Sequence, residues 1–446
     1  MGQNSIKLLS VTLFFLMTVS CVPVTTCPHY DKENIINDDY EEPEEEADDD
    51  ALPDYGEGVK FWLSAQMNDY GTAVVTDDFG GVFVTGFMQM QEGSSDTGRV
   101  FITKFNNSLD VLWTKFLSTT ENERSSAIAV DSRGFVYVAG VTYGSIGGDF
   151  ENQGDADLFL AKFNAEGEKV WARQWGSEEY DGISAISIDS EDNIYVAGST
   201  TGELDDNMNL GGSDMFITKF NDSGTKQWTK QWGTDENDSA VSIKNDSEGN
   251  ILLTGTTNGG LDGCEHSEVD PEYSTYTWDA FLTKLDKDGN RIWTRQWGGS
   301  TNNYMGISIS IDTYGDIYVL ESLNSSRIEM SITSFTSDGI QKYSKFLGPT
   351  IFTVASMMVC DKENNLLVNG FHHDGQSYVP FLSKFNKNAQ QLWTKEWNPK
   401  LISNTRNNLS LDKYGNIFMT GSVREDMGPD GDRTDAFLIK VNAEDL

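Results

Sequence analysis

Gly167 to Asn221 reads GEKVWARQWGSEEYDGISAISIDSEDNIYVAGSTTGELDDNMNLGGSDMFITKFN. It holds four short apolar runs, VWARQW, AISID, NIYVAG and DMFITKF, separated by turn residues, and the same four recur in the same order along the chain. The AISID-type run ends in an acid seven times, at Asp77, Asp131, Asp189, Asp246, Asp312, Asp361 and Asp412. Each is followed by a β-rich run such as VYVAG or IFMTG, then by one ending in KF or a close variant. The last run of each set carries an aromatic, at Trp62, Trp113, Trp171, Trp228, Trp293, Tyr343 and Trp393. Four strands repeated seven times, roughly 50 to 65 residues apart, predict an all-β, seven-bladed propeller of four-stranded antiparallel blades.

We name the strands a (AISID), b (NIYVAG), c (DMFITKF) and d (VWARQW), with a innermost. Strand a is rich in small residues, which suit a crowded axis. Strands b and c are apolar on both faces, as blades stacked against two neighbours require. Just past each repeating Asp stands Gly80, Gly134, Asp192, Gly249, Gly315, Asn364 or Gly415. Only residue types that tolerate positive φ appear there, so these are expected to be the structural turns of the a–b hairpins. In the fourth copy the first run reads as two residues longer (AVSIKND), an even insertion that would keep the facing of its side chains. The chain enters at Val59 to Gln66 with a d-type run and ends on a c-type run. Residues 60–66 are therefore expected to pair antiparallel with residues 436–441 and close the ring, which removes an open edge.

Before the repeats, residues 1–20 read as a secretory signal peptide: Lys7, then LLSVTLFFLMTV, too short to span a bilayer. Residues 21–58 include DDYEEPEEEADDD, a block of like charge that cannot bury apolar area and is expected to be an extended, solvated tether. Residues 59–446 are expected to be one domain. The formal net charge is −38. Without the fourteen acids and one base of residues 30–57, and without Lys7, about −26 remains. That excludes nucleic acid and direct docking on anionic lipid as expected partners. The four cysteines, two of them in the leader region, form no disulfide framework.

WARQWG, ISAISIDSEDNIYVAGSTTG and DMFITKFNDSG together resemble the SBBP repeat, the repeat of bacterial seven-bladed β-propellers. The resemblance covers nearly all of residues 59 to 442 and weakens in copies five and six, where Leu320-Glu321 replaces Ala-Gly and Gly348-Pro349 follows an eroded d run. It implies the fold and export, and no single activity. The Thr18-Val19-Ser20-Cys21 string resembles a bacterial lipobox, with Thr18 where Leu is usual. This implies a lipidated Cys21 and a membrane-anchored lipoprotein of the cell envelope, at the outer membrane or cell surface, its anchor the only membrane contact.

The a–b and c–d turns are uniformly short, whereas the b–c and d–a loops vary. All variation falls on one face, and binding is expected there. The candidate binding residues are Asp205, Asp206, Asp262, His266, His372, His373, Asp374, Asp426 and Asp430. Neither a metal site nor a catalytic residue is assigned, since four histidines are few and no nucleophile elbow, phosphate loop or zinc-protease helix occurs. No cofactor is implied. DSEGN, DKDGN and DKYGN echo calcium loops without their ligand order and read as hairpin turns. Weak calcium binding is an expectation only for acidic loops such as GELDDNMN. Lys104, Lys162, Lys219, Lys284, Lys384 and Lys440 recur at one position of strand c, where a packed stem and an amine paired to an Asp are expected. The Trp set is expected to pack between blades. The functional expectation is a monomeric, non-catalytic propeller that binds a protein or glycan partner. The alternative is an exported propeller enzyme such as a polysaccharide or cyclic-peptide lyase.

Overall fold

The computed structural model describes residues 58–61, 63, 68–89, 98–119, 121–146, 152–264, 277–298, 303–324, 328–347, 353–373, 378–397, 408–426 and 432–445. All belong to the second of two units, Ile36–Leu446. The signal peptide, Cys21, Trp62, His266, Asp374 and Asp430, and the acidic segment up to residue 57, lie outside the described residues.

Seven four-stranded antiparallel sheets form the ring. Blade 3 shows the pattern: strand a Asp181–Ile188, b Ile194–Thr200, c Asp214–Phe220 and d Lys226–Trp232, each paired with the next. Blade 7 takes Asn408–Leu411, Ile417–Asp426 and Asp432–Val441 from the C-terminal end and its outer strand, Val59–Phe61, from the start of the repeats. The closing register is Val59↔Ile439, Lys60↔Leu438 and Phe61↔Phe437, antiparallel as the sequence predicts.

The apparent insertion in the fourth copy is not there. Asp238–Asn245 has eight residues, the same as Asp181–Ile188. Both strands instead contain a bulge, at Ser184 in one and Val241 in the other, and the other complete inner strands have one at the equivalent position. The two extra residues vanish because Ala240 holds the place of Ile183, not of Ala185; the bulge is a separate feature shared by the first six blades, which turns the inner edge and sharpens its twist.

The a–b turns follow from one side chain. In all seven, Asp Oδ1 accepts the backbone N–H groups two and four residues on: Asp131 from Arg133 (2.9 Å) and Phe135 (3.0 Å), Asp412 from Tyr414 (2.8 Å) and Asn416 (2.9 Å). The residue three past the Asp then lies at positive φ, as at Gly134 (85°), Asp192 (60°) and Asn364 (63°). The c–d turns repeat this geometry with Asn, Asp or Thr in front, and two of them place non-glycine residues at positive φ, Leu109 (63°) and Ala389 (54°).

The apolar core is divided among the junctions. One cluster joins Ala139, Leu158 and Leu160 of blade 2 to Ile183, Val196 and Phe216 of blade 3, and another joins Val84 and Phe101 of blade 1 to Phe418 and Leu438 of blade 7. Strands b and c are buried along their whole length in blades 2 and 4, which is why their sequences lack alternation. Strands d are half-exposed.

Candidate functional site

The two rims are built differently. On the short-turn rim Trp113, Trp171 and Tyr343 dock on the next blade. Trp113 Nε1 donates to Ala165 O (3.1 Å), and Trp171 Nε1 donates to Asp222 O (3.2 Å). Gly224 lies against the Trp171 ring, so a Cβ there would stand 2.9 Å from it. The strand-c lysines reach for the same carbonyls: Lys104 to Ala165 O (3.1 Å), Lys219 to Lys287 O (3.1 Å) and Lys440 to Asn107 O (2.6 Å). The expected Lys–Asp pairs form for three of the six. Lys284 meets Asp246 at 2.9 Å, Lys384 meets Asp361 at 2.8 Å, and Lys162 bridges Asp131 (3.7 Å) and Asp222. In blades 2, 3 and 5 the turn Asp is bonded by the strand-b tyrosine, Tyr137, Tyr195 or Tyr318. Blades 4 and 6 carry Leu252 and Leu367 there, and the lysine takes that place. Burial by itself would raise Asp246 and Asp361. Hydrogen bonds from Asn250 and Lys284, and from Lys384 and Asn365, outweigh it and hold both below the usual carboxylate range.

The opposite rim carries the variable loops. A strand-d glutamine, constant in WARQWG, WTKQWG and WTRQWG, pins each described b–c loop of blades 2 to 4. Gln231 accepts from Leu204 N (2.9 Å) and donates to Gly202 O (2.9 Å) and Asp214 (3.2 Å). Gln174 and Gln296 do the same with Ile146 and Asp157, and with Leu261 and Asp279. The constant Gln was the available signal, and the sequence reading passed over it.

The candidate ligand residues fall within this bracing. Asp205 (φ 49°) accepts from Lys226 and from Thr229 Oγ1, and Asp262 (φ 57°) accepts from Arg291 and Thr294. Both carboxylates fasten a loop to its own outer strand. Asp206 follows at φ 62°. His372 Nε2 stands 3.8 Å from Glu396 Oε1, near the end of a strand that continues through His373. Asp426 ends strand b of blade 7, opposite Asp432. Among the described residues, no three His, Cys, Asp or Glu side chains are grouped to hold a metal, and no helix is long and apolar enough to cross a membrane.

Beneath the loops, acids meet across blade junctions. Asp157 at the head of strand c in blade 2 faces Asp181 at the head of strand a in blade 3, and Asp214 faces Asp238 one junction on; all four are buried. Asp181 accepts from Ser177 N (2.6 Å) and Asp238 from Thr234 N (2.5 Å). Among the described residues neither receives a cation. Burial first, and the facing carboxylate after it, push Asp181 and Asp238 above the ordinary range, and burial raises Asp157.

Exposed apolar side chains occur on both rims, Phe79 and Ile340 among those of the turn rim. On the short-turn rim Tyr314 and Tyr414 lie under Lys387 (5.6 Å) and Lys413 (5.2 Å). On the loop rim Tyr143, Tyr180, Met208 and Leu210 are 41–68% exposed, and among the described residues no cation covers either ring.

The fold and its rims define a seven-bladed propeller with a constant turn face and a variable loop face. Residues 170–205 and 227–262 match the beta-propeller repeat family SBBP, so the chain carries SBBP repeats. It is 27% identical over 212 residues to the regulatory protein FlaEY of Caulobacter vibrioides, covering 44% of this chain and 21% of that protein. It is 23% identical over 248 residues to an uncharacterized WD repeat-containing protein of Acanthamoeba polyphaga mimivirus, covering 45% and 18%. The chain thus spans about a fifth of the length of these curated relatives. Among solved structures, a Dyadobacter fermentans protein of unknown function aligns at 9% identity and TM-score 0.48, covering 87% of this chain and 100% of that one. A gluconolactonase from Xanthomonas campestris aligns at 11% identity and TM-score 0.37, covering 86% and 96%.

Proposed function

We propose that this protein is a non-catalytic, exported binding propeller that engages a protein or glycan partner through its loop rim. A lipidated Cys21 and the acidic segment of residues 21–58 would hold it off the membrane. The observation that carries the reading is a set of exposed apolar side chains on neighbouring loops that the strand-d glutamines brace. Tyr143, Tyr180, Met208 and Leu210 come from three loops of blades 2 and 3, and Tyr143 and Arg124 lie close enough to Tyr180 to act on its phenol. Exposed aromatics on a rigid scaffold are the usual anchors of recognition, and here the bracing by Gln174 and Gln231 supplies the rigidity.

The test is binding to purified envelope glycans and envelope proteins by the full chain and by two variants. Replacing Tyr143, Tyr180, Met208 and Leu210 with Ser should abolish retention. Replacing Tyr314 and Tyr414 with Ser should leave it intact. Equal retention by both variants would refute the loop-rim assignment. The anchor is tested separately: a fatty-acid analogue should label the wild-type chain in cells and should not label Cys21→Ser.

A further inference from the structure

The inner strands enclose an axial cavity of about 340 Å³. Hydroxyl and apolar side chains of strand a make its wall, and among the described residues the one charged group on it is Lys244. By register Lys244 stands where the other blades have Val75, Ala129, Ser187, Ser310, Val359 and Ser410. Six copies keep this position neutral. In a chain of net charge −38 the seventh puts a cation on the axis.

Every strand-c lysine has a carbonyl or carboxylate to bond. Lys244 has neither among the described residues, and no carboxylate lines the cavity with it. Burial lowers its pKa. The other titratable group on the wall is the Cys360 thiol, pushed up to about 12 by burial and by the nearby Asp312 and Asp361, and therefore neutral. Hydroxyl donors stand in the same cavity. Three of the bulge residues are serines, Ser126, Ser184 and Ser356, and they line the wall with no side-chain hydrogen bond among the described residues. An ammonium that shares a cavity with unbonded hydroxyls and, among the described residues, with no acid is complementary to a negatively charged oxygen group.

We propose that the axial cavity binds a small oxyanion, with Lys244 as its cationic partner and the hydroxyls of Ser126, Ser184 and Ser356 as donors. This site is independent of the loop rim and of any partner bound there.

The probe is inorganic phosphate, added to the full chain at an ionic strength held constant with sodium chloride. Phosphate should raise Tm in a saturable way and should protect Lys244 severalfold from acylation, read by mass spectrometry. Lys244→Ser should weaken phosphate binding by about tenfold or more, the loss of a charge-assisted partner. That variant should fold, because serine holds the same position in blades 3, 5 and 7. Ser184→Val, the residue type found at the bulge of blade 4, should weaken binding by roughly two- to fivefold. If wild type and Lys244→Ser respond equally to phosphate, or if phosphate leaves Lys244 labelling in the wild-type chain unchanged, the proposal is overturned. The labelling arm needs no variant, so a folding defect would not obscure the answer.

Discussion

Asp238 and Asp246 bound the same inner strand, one at its loop-rim end and one just past its turn-rim end. Both are largely buried, and their ionisation is pushed in opposite directions. Asp246 caps a turn, bonds Asn250 and meets Lys284, so its charge is solvated by the protein. Asp238 takes hydrogen bonds from Thr234 and faces Asp214, so its charge is opposed. On this strand the acid at the turn rim is compensated by a cation, and the acid beneath the loops is opposed by another acid. The difference teaches that burial alone does not fix a carboxylate; the partner that arrives with it does.

The broadest test of that contrast opens one junction on both rims at once. Deleting residues 59–66 removes the outer strand of blade 7, leaving strand c of that blade with an unpaired edge. Thermal unfolding should drop by roughly 10 °C or more, far beyond the effect of deleting residues 28–57. A silent deletion would mean that closure is not what holds the rims together.

Next in size is the direct exchange. Asp246→Ala removes the acceptor of two turn N–H groups and leaves the Lys284 amine with Ser337 O alone (3.2 Å), and should cost about 3 kcal/mol in denaturant unfolding. Asp238→Asn keeps an acceptor for Thr234 and discharges an opposed carboxylate, and should cost less than about 1 kcal/mol at neutral pH. Comparable losses would erase the distinction between rims.

A smaller effect isolates turn geometry from charge. Gly134→Val places a β-branched residue at φ 85° and brings its Cβ near Phe79, at a cost of roughly 1–3 kcal/mol. Ser132→Val in the same turn loses only the exposed 3.0 Å bond to Asp192, about 0.5 kcal/mol. Equal shifts in Tm at the two positions would contradict the turn assignment.

The smallest effect is the pH profile, and it should bend both ways. Asp157, Asp181 and Asp238 are raised in the fold, so the native state binds their protons more tightly than the unfolded chain. Their contribution is fully present below the ordinary carboxylate value near 4 and is lost as pH rises through their raised values. Asp246 and Asp361 are lowered, and their contribution is present above the ordinary value and is lost as pH falls through their depressed ones. Tm measured from pH 3 to 8 should therefore peak on the acidic side of neutrality. Asp181→Asn together with Asp238→Asn should flatten the neutral limb only, and Asp361→Asn the acid limb only. A profile in which either variant flattens both limbs would show that the rims are not electrically separate.

Much of this was legible before any coordinates. The repeating Asp, the Gly, Asn or Asp three residues later, and the split last blade all follow from local turn chemistry and from the order of runs. The sequence reading erred at AVSIKND because AVSI looks like AISI and was matched to it two residues out of register, with Lys244 and Asn245 left over as an insertion. It passed over Gln174, Gln231 and Gln296 because a constant glutamine beside a constant tryptophan looks like strand filler. It listed Asp205 and Asp262 as candidate binding residues and could not show their bonds to Thr229 and Thr294, since those partners lie 24 and 32 residues further along the chain.

The sequence by itself determined the repeat, the turn at each Asp, the number of blades and the strand that closes the ring. Each of these is a property of a few consecutive residues, or of their order. Tertiary structure alone decided which acids are compensated, which tryptophan meets which carbonyl, and that Lys244 stands without an acid. Those facts depend on groups brought together from far along the chain, as when Trp113 meets Ala165 across 52 residues. A side chain's electrostatic surroundings are set by what packs around it, and the sequence nearby does not contain that information.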